Sequence, residues 1–209
     1  MSTRPYDNTL RTEQARLTRR RIIEAARALL LDGGAQSMSI SALAETAGVS
    51  IQTIYNAIGN KAAVIKAVYD VTVAGDDDPR PMRDRPDFQA ITDAADPAAM
   101  LWGYAAFSRR IAERVGPLLV VIAADTDDDL QSLAADIDDE RLRGNTVVVD
   151  SVARRFGLRA GMTMQRAVDI VWTLTAPEPY DRLVRRRGWS HDDYEHWLAS
   201  ALISALGAR

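Results

Sequence analysis

The sequence predicts an all-α protein in two parts, an N-terminal helix-turn-helix DNA-binding domain and a larger C-terminal helical domain. Three observations lead there. The stretch Ser39–Lys61, SISALAETAGVSIQTIYNAIGNK, reads as two short capped helices joined by a glycine elbow. Apolar residues recur at helical intervals before and after it, most cleanly between His191 and Leu206. Between the two parts, Asp76 to Pro86 (DDDPRPMRDRP) interrupts the pattern with three prolines and dense charge, so residues 1–75 and 76–209 are taken as the two domains.

Taken in order, residues 1–11 read as a flexible arm containing Pro5. A helix is predicted from Thr12, with Ile22, Ala26, Leu29 and Leu30 on its buried face and an end at Gly33-Gly34. Its start is basic, with Arg16, Arg19, Arg20 and Arg21. Such residues either lie along the DNA backbone, enter the minor groove, or form a solvated face.

The second helix follows from Ile40, Leu43, Ala44 and Ala47, with Ser39 as N-cap and Gly48 as the residue that turns the chain. Val49 fills the elbow. Ser50 then caps a third helix, in which Ile54 and Ile58 stand four apart and pack inward. Its other face carries Ser50, Gln52, Thr53 and Asn56, side chains able to bond base edges or phosphate oxygens. Gly59-Asn60 closes this helix, and Lys61, a natural phosphate contact, opens a fourth bearing Val64, Ile65, Val68 and Val71.

The C-terminal part reads as five or six helices. One runs from Pro97 to about Val115, and an almost wholly apolar one, predicted to be buried on all sides, from Pro117 to Ala124. The next spans Asp127 to about Phe156, with Gly144-Asn145 as a candidate kink or division. Helices from Met164 to Thr175, Pro179 to Arg187 and His191 to Leu206 complete the chain; the last carries Tyr194, Trp197, Leu198, Ala201, Leu202 and Ala205 on one stripe.

Composition narrows the class. Hydrophobic residues make up 47% of the chain and there is no cysteine, so disulfides and thiolate chemistry are excluded. The N-terminus has no apolar signal-peptide core and no stretch approaches a bilayer span, which leads us to expect a cytoplasmic protein without membrane contact. The net charge is −3, but residues 1–75 carry 9 basic against 6 acidic side chains and residues 76–209 carry 17 against 23. A basic head on an acidic body orients the head toward phosphate.

Catalysis finds no support. A Ser-His-Asp arrangement, a Gly-rich phosphate loop and a thiol nucleophile are all missing from the sequence, and His191 and His196, five apart, fall on different helix faces. Asp125 to Asp129 imitates a calcium loop but has Leu130 and Asp136 where glycine and glutamate are needed. It reads as an acidic helix start. The expectation is a non-enzyme with no cofactor and no metal site.

The string ALAETAGVSIQTIY followed by GNK resembles the TetR family of bacterial transcriptional repressors, over roughly Thr18 to Tyr69. The resemblance implies a three-helix DNA-binding unit, with Gln52, Thr53 and Asn56 facing bases and Ser39, Ser41, Tyr55 and Lys61 facing the backbone. It also implies a fourth helix linking the head to a body that binds a small effector and pairs two copies through C-terminal helices. EPYDRLVRRRGWSHDDYEHWL resembles a stretch in a subset of such regulators. Where the family usually carries a second aromatic, then His, then Phe, this chain has Asn56, Ala57 and Ile58. Ala57 loses a phosphate contact, whereas Asn56 gains the option of a bidentate adenine contact.

The resulting expectation is a homodimeric repressor that binds a near-palindromic double-stranded operator and releases it on meeting a small, mostly apolar effector. Candidate effector contacts are Trp102, Tyr104, Phe107, Ser108, Ile122, Trp172 and Thr175, and candidate dimer contacts are Val148, Val152, Tyr194, Trp197, Ala201, Leu202 and Ala205. Ordinary core packing is the competing reading for both sets. An activator with the same head, or a helical interaction module that binds no DNA, are the rival functions.

Overall fold

The computed structural model describes residues 6–76, 80–123 and 127–207. Every regular element among them is helical: α1 (Tyr6–Ser37), α2 (Ile40–Ala47), α3 (Ile51–Ala57), α4 (Lys61–Ala74), α5 (Pro86–Thr92), α6 (Pro97–Ala123), α7 (Asp128–Phe156), α8 (Met164–Leu174), α9 (Pro177–Tyr180) and α10 (His191–Leu206). A 3₁₀ turn at Met82–Asp84 precedes α5, and α9 continues into a π-helical segment, Asp181–Arg186.

Two compact units emerge. One comprises Met1–Asp77 with Pro117–Ala134, the other Asp78–Gly116 with Ala135–Arg209. The division therefore cuts α6 at Gly116–Pro117 and α7 at Ala134–Ala135, whereas the sequence suggested one boundary near residue 76.

In the first unit, α1 packs against α2, α3 and α4. Ile22, Ala26 and Leu30 of α1, Met38, Leu43 of α2, Ile54 of α3 and Val64, Ile65 and Val68 of α4 are buried, the face expected from their spacing. Two bounds of α1 differ from expectation. It begins at Tyr6, inside the stretch read as an arm, whose residues 1–5 lie outside the described ones. At the other end the helix bends at Gly34 (φ 74°, ψ −177°), and the turn that follows is closed by the Ser37 hydroxyl, which donates to the Leu29 or Gly34 carbonyl.

The second unit buries a continuous apolar cluster that includes Phe88, Met100, Leu101, Val148, Val152, Val171, Tyr194, Leu198 and Leu202. Each fully buried side chain of this size contributes about 1.5–3 kcal/mol relative to exposure. Three expectations need correction. Residues 97–123 form one helix running through Pro117, which removes one hydrogen-bond rung without ending the helix. The 117–124 stretch is not buried on all sides, because Val120 is 55% exposed. Gly144-Asn145 does not divide α7; Asn145 is buried within it.

Candidate nucleic-acid interface and the helical body

Local chemistry builds the helix-turn-helix residue by residue. The Ser39 hydroxyl accepts from the Ala42 N–H at 3.1 Å and opens α2. Gly48 ends it at φ 62°, ψ 41°, a left-handed conformation open to glycine at little cost, and its N–H bonds back to Ala44 and Glu45. Ser50 then accepts from the Thr53 N–H at 3.0 Å and opens α3, while Asn60 accepts from the Ala63 N–H at 2.9 Å and opens α4. Both serine caps were legible in sequence; the Asn60 cap replaces Gly59-Asn60 as a mere terminator.

Only Ile54 of α3 is fully buried. Gln52, Tyr55 and Asn56 are exposed and Thr53 is partly so, which leaves one polar face of α3 open to solvent. Gln52 Nε2 donates to Asn56 Oδ1 at 2.9 Å, so these two amides, one turn apart, are held together. The Thr53 hydroxyl lies 2.8 Å from that of Ser50. Ser39 and Ser41 are exposed on α2, and Lys61 is half-buried at the start of α4.

The arginines of α1 divide by role. Arg16 pairs with Glu13 at 3.1 Å and Arg20 with Glu24 at 2.8 Å, ordinary exposed pairs within one helix. Arg19 instead reaches the end of α3, where its Nη1 donates to the Ala57 carbonyl at 3.2 Å. A cation at a helix C-terminus satisfies an orphan carbonyl and complements the helix dipole. The sequence reading of Arg19 as a DNA contact or part of a solvated face did not include this role.

The body brings some candidate effector residues together and separates others. Tyr104 donates to Asn145 Oδ1 at 2.6 Å, the Thr175 hydroxyl donates either to the same oxygen at 3.1 Å or to the Val171 carbonyl at 2.8 Å, and Ser108 bonds the Tyr104 phenol. Burial pushes the Tyr104 phenol up to about 12, with the Ser108 bond and the Arg141 charge opposing it. Trp172 joins this group through Arg141, whose guanidinium lies 5.9 Å from the indole ring and donates to the Trp172 carbonyl at 3.2 Å.

Phe107 packs edge-on to Phe88, with centroids 5.4 Å apart. Trp102 makes a T-shaped contact with His196 at 5.0 Å. Ile122 is buried and belongs to the other compact unit. Asn145 and Arg141 were not among the candidates. Asn145 stood in the apolar register of α7, eight residues after Ile137 and three before Val148, and a polar residue at a core position is the signal that identifies it.

The dimer candidates need correction. Val148, Val152, Tyr194 and Leu202 are at most 1% exposed within the single chain, so they are core residues with no surface to offer a partner. A perfect apolar stripe marked the buried side of α10. Trp197, Ala201 and Ala205 are only partly covered and border the exposed Ser200 and Ser204.

His191 lies 3.4 Å from both Glu113 and the Tyr180 hydroxyl, while His196 Nδ1 is 2.7 Å from the Asp192 carbonyl, so the two imidazoles have separate surroundings. Among the described residues, no group of three or more His, Cys, Asp or Glu side chains is arranged to hold a metal. None of the described helices is long and apolar enough to cross a membrane. Residues 125 and 126 of the calcium-like stretch lie outside the described ones.

Comparison with known proteins agrees with this geometry. Residues 22–68 match the model of bacterial regulatory proteins of the tetR family, a span holding the second half of α1, all of α2 and α3, and the first half of α4. No curated protein matches the chain. Among solved structures, native NalD, the secondary repressor of the MexAB-OprM multidrug efflux pump in Pseudomonas aeruginosa, superposes with a TM-score of 0.71 at 19% identity, covering 94% of this chain and 98% of its own. The regulator FadR from Bacillus subtilis, in complex with stearoyl-CoA, gives 0.68 at 15% identity, covering 88% and 97%. A TetR-family regulator from Rhodococcus sp. gives 0.69 at 14%, covering 90% and 98%. Residues 22–68, which hold the capped helix-turn-helix, thus form a DNA-binding domain of the tetR-family type, and the fold along almost the whole chain is that of the solved TetR-family regulators.

Proposed function

We propose that the protein is a homodimeric repressor that binds a near-palindromic operator and leaves it when a small, mostly apolar effector enters the body. The observation that carries the reading is the open polar face of α3, Gln52, Thr53 and Asn56, presented by a helix whose opposite side is anchored through Ile54. Those side chains supply base readout in the major groove, and Ser39, Ser41, Ser50, Tyr55, Lys61, Arg16 and Arg20 supply backbone contacts. Two such heads related by a two-fold axis require half-sites about one helical turn, roughly 34–36 Å, apart.

Pairing in this reading uses the open side of α10, where Ser200 and Ser204 alternate with the partly covered Trp197 and Ala201. The polar group around Asn145 supports the effector half, as does the stearoyl-CoA bound by the Bacillus subtilis structural neighbour. An effector that favours one head spacing over another lowers operator affinity by the coupling free energy, typically about 1–3 kcal/mol. The protein acts in the cytoplasm, where its operator is.

The test is a reporter gene driven from the selected operator, in cells with and without the protein. Lower expression with the protein is expected. Higher expression would replace repression by activation, and no change despite operator binding in solution would remove a transcriptional role.

A further inference from the structure

Polar groups of the second unit converge where α6 supplies the buried Tyr104, α7 the buried Asn145 and the C-cap of α8 the half-buried Thr175. Asn145 Oδ1 accepts from Tyr104 at 2.6 Å and lies 3.1 Å from the Thr175 hydroxyl, which also reaches the Val171 carbonyl at 2.8 Å, and the Asn145 Nδ2 donates to the Arg141 carbonyl at 2.9 Å. Arg141 forms the outer edge of this group, with 19% of its side chain exposed. Its Nη2 donates to the Trp172 carbonyl at 3.2 Å and its Nη1 to Asp138 at 2.6 Å. Beside it, the Trp172 indole Nε1 is buried and has no acceptor.

An orphaned buried N–H costs about 1–3 kcal/mol, and such a group in a native protein calls for an explanation. Here the explanation is a missing acceptor. The Tyr104 proton is committed to Asn145, so what the junction has left to offer is donors: the Trp172 N–H and the Arg141 fork. Among the described residues Asp138, 46% exposed, is the carboxylate paired with that fork, and it can return to water at small cost.

We infer that this junction is the polar end of an effector site, and that the effector is a mostly apolar molecule carrying a carboxylate. One carboxylate oxygen accepts from Trp172 Nε1 and the group displaces Asp138 from the Arg141 guanidinium, a planar two-oxygen acceptor meeting a planar donor fork. A cationic headgroup would have to compete with the Arg141 guanidinium for Asp138 and would leave the Trp172 N–H without an acceptor, and a dianionic phosphate meets only one guanidinium. The inference rests on the effector-responsive reading above and specifies its ligand chemistry.

The test uses the full chain and two matched pairs of probes, decanoate with decanamide and cinnamate with cinnamamide, followed by melting temperature and tryptophan fluorescence. Each acid is expected to bind about tenfold or more tightly than its amide, the usual gain of a hydrogen bond to a charged group. Arg141→Gln should abolish that preference. Trp172→Phe should weaken acid and amide alike, because an amide carbonyl also uses the indole N–H. If Arg141→Gln does not fold, Arg141→Lys should reduce the preference, since it keeps the charge and loses the fork. Equal responses to acid and amide, including no response to either, overturn the inference, as does a preference that survives these Arg141 substitutions. DNA binding by the same preparation separates the two levels: with DNA bound and no acid preference, only the ligand chemistry fails, whereas absence of DNA binding removes the regulator reading itself.

Discussion

Arg19 of α1 donates through Nη1 to the backbone carbonyl of Ala57, 3.2 Å away at the end of α3, and so ties the first helix to the last turn of α3. Ala57 has no polar side chain, and its carbonyl serves as the anchor instead. Arg19 in this arrangement is a positioning residue for α3.

Arg19→Ala should therefore lower operator affinity about three- to tenfold while leaving the fold and the salt dependence unchanged. Loss of a phosphate contact lowers the slope of log affinity against log salt by about one. A slope reduced in this variant would return Arg19 to the DNA backbone.

The Gln52–Asn56 hydrogen bond predicts the mode of base readout. The pair retains one acceptor, Gln52 Oε1, and the Asn56 N–H donors, the complement of adenine's N7 and N6–H edge. Gln52→Ala and Asn56→Ala should each relax specificity at the same base pair by about 1–3 kcal/mol, and their effects should not add. Competition with single-site operator variants measures this; relaxation at two separate base pairs would show independent contacts.

Gly48 tests the elbow. A Cβ there meets nothing within 4 Å, so Gly48→Ala isolates backbone conformation at φ 62° from crowding. The variant should lose about 1 kcal/mol of stability in urea unfolding. An unchanged midpoint would mean that the turn adjusts freely.

Burial of Tyr104 predicts a loss of stability in base. Its phenol is pushed up to about 12 in the folded chain, from 10.0, so the folded state holds the proton more tightly than the unfolded state. Stability is then complete below about pH 10 and falls as pH rises toward 12, by on the order of 2 kcal/mol from this residue. Burial raises Tyr180 and Tyr194 too, which adds in the same direction. Urea midpoints at about pH 8 and about pH 11, with phenolate absorbance, check this; a midpoint that does not fall would exclude it.

Much of the head was legible because its determinants are local. Ser39, Gly48 and Ser50 fix helix ends through bonds spanning a few residues, and Ile54 buries itself wherever the preceding helices lie. The body was legible as helices but less so as surfaces. A stripe such as Tyr194, Leu198 and Leu202 announces that it is buried without saying whether its own chain or a second copy covers it. Pro117 suggested a break where the helix runs on, and the bonds of Asn145 to Tyr104 and of Arg19 to Ala57 span 41 and 38 residues, beyond the reach of any periodicity.

Whether α3 reads DNA from a paired head is decided by selection of bound duplexes from random sequence, followed by affinity against salt. The expected result is a palindromic motif with half-sites about one turn apart and a steep salt dependence, both lost in the Gln52, Thr53 and Asn56 triple alanine variant while the fold persists. No enrichment at low salt from folded, dimeric protein would contradict it and leave a helical interaction module in its place.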